Sequence, residues 1–427
     1  MKKRVLTVDG GRWTVGELLP HALYVMRHNL LAFRVLRFAP SSSTVHRPPS
    51  TVRIALALLL LLLAACDSGP QPTPTFTGVI KVGVAAPYTG DTADGGIQIW
   101  QGAQLAADEV NARGGILGNK IEIVPADDAA NPGKAQEIAN SLISQGVVAV
   151  VGHKDSGVSI PASAVYNAAG IVQITPTSSN PTLTDQGYDT VFRVCPVDKT
   201  QGPVLAEFMI ETQGLKQIAV IYANTAYGMG LRDEFERRAG ELGVTPIASE
   251  QITRGDKDFT ATLQKIQPLS PQAIFYAGSL PEAIIIVQQM KELELKATFV
   301  GGDTLFQPEF IVQTGSASDG AYISSFFPDM LQASGQAEKN WVAQYRDTFK
   351  RNPGGNSSGG YVAAMSIFQA MKNANSTDPT QVKAAMKSLD MESFIGRIAF
   401  DQKGDLQDQR AHLRLFQVKD GAFLPVP

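Results

Sequence analysis

The segment GHKDSG brings His153, Asp155 and Ser156 together, three residue types that an acyl-transfer site uses. Their spacing argues against that chemistry. Alternate positions on an extended chain point to opposite faces, and acyl transfer also needs an oriented base and an oxyanion hole. The G-x-S-x-G spacing of a nucleophile elbow is absent. His153 is therefore expected to be a strand-end residue with a structural role. Asp127 with Asp128, and Asp91 with Asp94, are carboxylates suited to acid–base work. In loops between strands and helices, however, aspartates commonly cap helices and shape turns, and that role is expected here. The loop APYTGDTADGG does not carry G-x-G-x-x-G, and no G-x-x-x-x-G-K-[ST] occurs. Cys66 and Cys195 are the only cysteines, and beyond residue 65 the only histidines are His153 and His412. That inventory cannot assemble a His/Cys metal site. No catalytic residue, metal or cofactor is expected.

Binding is the chemistry these loops can perform. GHKDSGVS, TPTSSNPTLT and GGDT each follow an apolar run, and in open α/β sheets ligands sit beyond the carboxyl ends of the strands. Helix N-termini offer unpaired N–H groups and a positive dipole end to an anion. Ser156, Ser178 and Ser179 add hydroxyl donors, so a carboxylate fits without arginine or lysine. Asp303 offers the opposite charge, suited to an ammonium group. Singly, each residue reads more readily as a helix cap. Jointly, they describe an amino-acid site if the two sets face each other.

The elements that must position these loops alternate. VIKVGVAAP, KIEIVPADD, VVAVVGH and IVQITP read as strands, and VVAVVGH is apolar on both faces, as in a covered parallel sheet. Helical patterns are expected over Ile97–Ala112, from Asn131 to about Ser144, and near 159–169. After Pro196 the alternation resumes. Helices are expected near 200–212, 229–242, 258–266 and 281–292, with strands QIAVIYA, TPIASEQI, AIFYAG and TFVGGD. Two such series point to two doubly wound α/β lobes. The last third departs from the pattern: strand AYISSFF, helices near 336–350, 360–374 and 379–389, then strands GRIAFD and LRLFQV.

Length and charge divide the chain near its start. Residues 1–53 hold 9 basic and 2 acidic residues of the chain's 37 and 40, leaving 28 and 38 from Cys66 onward, a formal net charge of −10. Such a surface repels polyanions, so nucleic acid is not an expected partner. The apolar run Ile54–Ala65 has 12 residues, too few for the roughly 20 of a membrane span but right for the hydrophobic region of a signal peptide, with Arg47 and Arg53 before it. Leu63-Ala64-Ala65-Cys66 resembles the bacterial lipobox, in which the cysteine is acylated and becomes the first mature residue. Residues 1–65 are expected to be a signal peptide. Its unusual length has two open accounts: a start downstream at Met26 or near Val52, or a long genuine leader. Residues 66–77 read as a lipidated cysteine and flexible tether.

Over about Gly78 to Phe423, an ordered series of pieces resembles the periplasmic binding proteins of branched-chain amino-acid ABC transporters, of the Leu/Ile/Val-binding type. The pieces are KVGVAAPYTG, AADEVNARGGILGNKIEIVPADDAANPGKA, VVAVVGHKDSGVSIPAS, ITPTSSNPTLT, YGMGL, FYAG with the PEA after it, FVGGD and FDQKGDL. The resemblance implies a type I bilobed fold with three crossings, near 195–199, 324–329 and 393–401. One lobe would comprise 78–197 plus 329–395, the other 198–328 plus 396–427. It also implies a monomer that closes on its ligand by hinge motion and docks on a permease with its ATPase, outside the cytoplasm. By position, Ser156 and Ser179 would hold the ligand carboxylate, with the backbone of Thr177 and the Ser178–Ser179 segment helping. Asp303 would hold the ammonium group, and Tyr227 would line the cleft. Asp303 is shorter than the glutamate often found there, so the ammonium is expected deeper or bridged by water. Gly95, Ser279 and Ser357 fall where such proteins carry aromatic residues. The cavity is thus expected to be larger and more polar, unless Trp100 or Tyr361 fills it, and less suited to leucine. A cysteine pair of some members is also missing, with Ala130 and Asp155 near those places. A stand-alone ligand sensor of the same fold is the alternative function.

Overall fold

The computed structural model describes residues 5–8, 11–14 and 74–426. The apolar run before Cys66, Cys66 itself and most of the tether lie outside the described residues. The N-terminal part, taken by itself, contains an antiparallel pair, β1 (Val5–Val8) and β2 (Gly11–Thr14), with Val5 opposite Thr14. The remainder, Thr73–Pro427, is a compact unit of its own.

Five parallel strands build the first lobe of that unit. They are β3 (Gly78–Ala86), β4 (Asn119–Asp127), β5 (Ala149–Gly152), β6 (Val172–Thr175) and β7 (Val191–Arg193), in the order β4-β3-β5-β6-β7. All four residues of β5 and all four of β6 are buried, and β5, Ala-Val-Val-Gly, is accordingly free of polar side chains on both faces. Helices α1 (Ala93–Ala112), α2 (Ala135–Ser144), α3 (Ser156–Ala168) and the single turn α4 (Thr182–Asp185) connect them. Helix α1 buries Ile99, Ala103, Ala106 and Val110, one helical face, against Val82, Val84, Val151 and Ile174 of the sheet.

The chain then crosses to the second lobe, entering helix α5 (Asp198–Glu207), which runs on as a π-helical turn to Thr212. Strands β8 (Ile218–Ala223), β9 (Ala248–Ile252), β10 (Ala273–Ala277), β11 (Thr298–Gly301) and β12 (Tyr322–Ser325) are parallel to one another. Helices α6 (Ala226–Glu241), α7 (Thr260–Ile266), α8 (Leu280–Glu292) and α9 (Pro308–Thr314) alternate with them. The return to the first lobe brings α10 (Gln336–Phe349), α11 (Gly355–Ala374) and α12 (Pro379–Lys387). Helix α11 lies so close on α1 that a Cβ on Gly102 would strike the Ser357 carbonyl, and one on Gly360 the Ile99 carbonyl.

The C-terminal part departs from the expected boundaries. Strands β13 (Asp390–Ser393) and β14 (Gly396–Ala399) form a hairpin, so a boundary at 396 divides it. Ile395, Ile398, Phe400 and Leu406 are buried in the core of the first lobe rather than the second. The hairpin and the segment to Leu406 thus pack with the first lobe. Beyond it, β15 (Arg414–Lys419) and β16 (Ala422–Pro425) extend the second sheet antiparallel, giving the order β16-β15-β12-β11-β10-β8-β9.

Candidate ligand-binding cleft

A cavity of about 430 Å³ opens between the lobes, at the carboxyl ends of both parallel sheets. The first lobe contributes Gly95, Lys154, Asp155, Ser156, Thr177 and Asn356, and the second contributes Tyr227, Arg254, Ser279 and Asp303. Chain order explains the convergence. Strand β5 ends at Gly152 and delivers Lys154 and Asp155 to the start of α3, where Ser156 is the first helical residue. Strand β8 ends at Ala223, and Thr225 caps α6 by accepting the Gly228 N–H at 3.0 Å, which sets Tyr227 in the first turn. Strand β10 leads through Ser279 into α8, and β11 leads directly to Asp303.

The two walls differ in charge. On the first lobe, the leading N–H groups of α3 present the positive end of a helix dipole beside Ser156 and Thr177. The Ser156 hydroxyl is buried and accepts the Asn180 N–H at 3.3 Å. Thr177 donates its hydroxyl to the Lys154 carbonyl at 2.9 Å. On the second lobe, Asp303 Oδ1 accepts from Tyr227 at 2.8 Å and from Gln201 at 3.0 Å. Burial raises the Asp303 carboxyl to about 6, against the pull of these two bonds and of the Lys154 charge. Burial beside the Asp303 charge pushes the Tyr227 phenol well above its ordinary value, so it stays a donor.

The lobes touch each other around this cavity. Arg254 of the second lobe lies 3.3 Å from Asp155 and donates to Thr92 at 3.0 Å. Lys257 pairs with Asp91 at 2.8 Å, Gln98 donates to Gln307 at 3.3 Å, and Asn180 donates to the Ala226 carbonyl at 2.6 Å. This is a closed arrangement.

Of the residues singled out in the sequence, Gly95, Ser156, Thr177, Tyr227, Ser279 and Asp303 line the cavity. Ser178, Ser179, Ser357 and Trp100 do not. The Ser178 hydroxyl turns inward, within 2.6 Å of the Ser159 hydroxyl and bonded to the carbonyls of His153 and Lys154, which the end of β5 leaves without sheet partners. Ser179 is fully buried at the first crossing, where its backbone carbonyl accepts the Asp198 N–H at 2.9 Å. Ser357 is buried under α1 and donates to Tyr345 at 2.9 Å. Trp100 packs edge-on to Phe349 at 6.2 Å, and Tyr361 bonds Glu109 at 2.6 Å, so neither fills the cavity. The space beside Gly95 is taken differently: a Cβ there would lie 2.7 Å from Lys154 Cε and 2.9 Å from Asn356 Nδ2.

Lys154, Asp155, Arg254 and Asn356 stand outside the sequence expectation. For the first two a signal existed, since adjacent charges between a strand end and Ser156 must lie near any ligand that Ser156 touches. For Arg254 and Asn356 there was none, because each reaches the site only through tertiary packing. His153 is fully buried, with Nδ1 2.7 Å from Asp128 and Nε2 3.2 Å from the Tyr166 hydroxyl, and so braces two strand ends away from Ser156. Asp127 accepts the N–H groups of Tyr88 and Ala129, at 2.8 and 2.9 Å, which shapes the loop.

Residues 79–422 match the family described as periplasmic binding protein. Over 327 residues the chain is 38% identical to Leu/Ile/Val-binding protein homolog 1 of Brucella suis, covering 76% of this chain and 87% of that one. A leucine binding protein from Thermotoga maritima superposes with a TM-score of 0.74 at 27% identity, covering 82% of this chain and 98% of that one. A branched-chain amino acid transporter substrate binding protein from Streptococcus pneumoniae, solved with isoleucine, gives 0.73 at 28% identity over 82% and 99%. With two α/β lobes closed over a cleft, and with likeness along nearly all the described chain, this protein belongs to the periplasmic binding protein family.

Proposed function

We propose that this chain is the substrate-binding subunit of an ABC importer, which captures an amino acid or a related small polar ligand between its lobes and delivers it to the permease. One observation carries the ligand class. The N-terminus of α3, with Ser156 and Thr177, lies on one side of the cavity and Asp303 on the other, an anion site facing a cation site. The names of the relatives, which bind leucine, isoleucine or valine, support an α-amino acid. The protein acts outside the cytoplasm, as a monomer, with the permease and its ATPase as partners and no resident cofactor. Cys66 carries the lipid that holds it at the membrane, through the tether 66–77. We read it as a binder and not an enzyme, because His153, the imidazole nearest to Ser156 in sequence, is committed to Asp128 and Tyr166.

Isothermal titration against amino acids, their amides and small carboxylates tests the reading. A saturable heat with at least one α-amino acid is expected. A folded protein that binds no amino-acid-like compound overturns it.

A further inference from the structure

Gln201 stands one turn into α5, where the chain has just passed from one lobe to the other. Cys195 belongs to the core of the first lobe and Leu205 to a core cluster of the second, so Gln201 lies within that first crossing. It is fully buried. Its Nε2 donates to Asp303 Oδ1 at 3.0 Å and to the Ser324 hydroxyl at 2.9 Å. Ser324 lies at the second crossing: Ile323 before it packs in the second lobe and Phe326 after it in the first. One amide thus joins the acid of the cleft to both of these crossings.

The partner fixes the orientation of this amide. A charged carboxylate oxygen only accepts, so the nitrogen faces Asp303. The amide oxygen is then left buried without a partner, at a cost like that of a lost hydrogen bond. A leucine or methionine would fill the same space without that cost, so packing alone does not account for a glutamine here. The surroundings are tight. A Cβ on Gly302 would collide with the Tyr227 hydroxyl and lie 3.4 Å from Gln201 Nε2, and glycine there lets the two donors converge. Tyr227 reaches the same Oδ1 at 2.8 Å. Asp303 lines the cavity, and with both side-chain donors on Oδ1 its Oδ2 is left for the ligand.

We infer that Gln201 is a positioning residue, which holds Asp303 with Oδ2 toward the ligand ammonium and, through Ser324, couples that hold to the crossings about which the lobes close. The role rests on the amino-acid reading above and deepens it. Hinge closure is absorbed by a few residues at the ends of elements, and at both crossings such residues adjoin the groups that hold Asp303. An ammonium bound at Oδ2 keeps the carboxylate charged, the form to which Gln201 donates most strongly.

The test is titration calorimetry of the full chain. The common L-amino acids are screened, and the tightest binder is the probe, measured from about pH 5 to about pH 7.5 with native protein, Gln201→Met and Ser324→Ala. The charged and titratable groups around Asp303 are Lys154, Tyr227 and Asp198. Tyr227 and Asp198, both raised by burial, keep their protons over most of this range, so a bend in the profile reports Asp303. Gln201→Met keeps nearly the same volume and has no donor. It is expected to weaken the probe about tenfold at neutral pH. Because a bond to the charged form is lost, the pH below which affinity falls should move up from about 6 by about half a pH unit or more. Ser324→Ala leaves the bond to Asp303 in place and should weaken the probe about threefold, with that pH unmoved. A thermal melt shows that each variant is folded. Should Gln201→Met fail to fold, Gln201→Asn, whose amide falls one methylene short of Asp303, is read in the same way. A variant that binds as native protein does, or more weakly with an unmoved profile, overturns the positioning role, while a native bend near 6 keeps the ammonium reading standing. Native affinity in Ser324→Ala overturns the coupling to the second crossing. A flat native profile overturns the ammonium site at Asp303 and the role of Gln201 with it. Binding of no amino acid overturns both readings together.

Discussion

Asp303 is a residue on which two opposing effects meet. Burial raises its carboxyl to about 6, while the bonds from Gln201 and Tyr227 hold the charged form. A ligand ammonium would add a third favourable partner. Asp303→Ala is expected to weaken an α-amino ligand by roughly 1–3 kcal/mol, the range for removing a partner from a charged group, as titration calorimetry would show. The same carboxyl gives the binding a pH dependence. Below about 6 it takes up a proton and loses its attraction for ammonium, so affinity at pH 5 should be about tenfold weaker than at pH 7.5. A flat profile between these values would place the ammonium elsewhere. Asp198, at the first crossing, works against stability instead. It is fully buried, and burial raises its carboxyl to about 8 against the pull of the Ser179 hydroxyl and the Arg193 charge. The folded state thus holds this proton more tightly than the unfolded chain, and the contribution of Asp198 to stability falls as pH rises from about 4 toward 8. Asp198→Asn cannot ionise. Its melting temperature should exceed that of the native protein by about 2 °C or more at pH 8, with a smaller gain at pH 4.5, measured by circular dichroism.

At the scale of elements, the strands and helices were legible where a period was strong, and the site was partly illegible where it was weak. Helices α3, α6 and α11 begin at Ser156, Ala226 and Gly355, three to five residues before the apolar pattern starts. Their first turns, Ser-Gly, Ala-Tyr-Gly and Gly-Asn-Ser-Ser, are small and polar because they face the cleft or another helix rather than a core. Those turns carry Gly157, Tyr227 and Asn356, so the pattern that finds a helix misses the end that binds. Strand β7, only Val191–Arg193, is too short to show alternation, yet its last residue organises the first wall. Arg193 is fully buried, pairs with Asp405 at 2.6 Å, and donates to the carbonyls of Ser178 and Asn180 at 2.8 and 3.2 Å. The loop bearing Thr177 is thereby fixed by a residue from the FDQKGDL segment, more than two hundred positions away in sequence. Removing one partner of a buried ion pair leaves the other charge uncompensated. Asp405→Ala is accordingly expected to cost about 3–5 kcal/mol of unfolding free energy, with the denaturation midpoint as the measurement. A loss under 1 kcal/mol would mean that solvent reaches Arg193.

For the whole molecule, the two-lobe organisation followed from two series of strand–helix units, but the way the lobes meet did not. The pairs that close the cleft, Arg254 with Asp155 and Lys257 with Asp91, join loops that no local pattern connects. Exposed pairs of the second kind are worth about 0–1 kcal/mol, so they favour closure without locking it, and a ligand that touches both walls supplies the difference. Capture is useful only near the permease, and here the proposed tether would matter. A single acyl chain gives marginal, reversible membrane attachment, whereas two chains hold stably. A chain held by a flexible linker also meets a membrane partner at high effective concentration. If Cys66 is the acylated residue, native protein expressed in a bacterial host should partition into the detergent phase, with an N-terminal mass showing the lipid. Cys66→Ser should leave that protein in the aqueous phase or uncleaved, while its ligand affinity stays that of the native cleft, since none of the described residues 74–77 lines the cavity. Native protein recovered with an unmodified Cys66 inside a longer intact chain would remove the anchor from this picture and leave the cleft as it is.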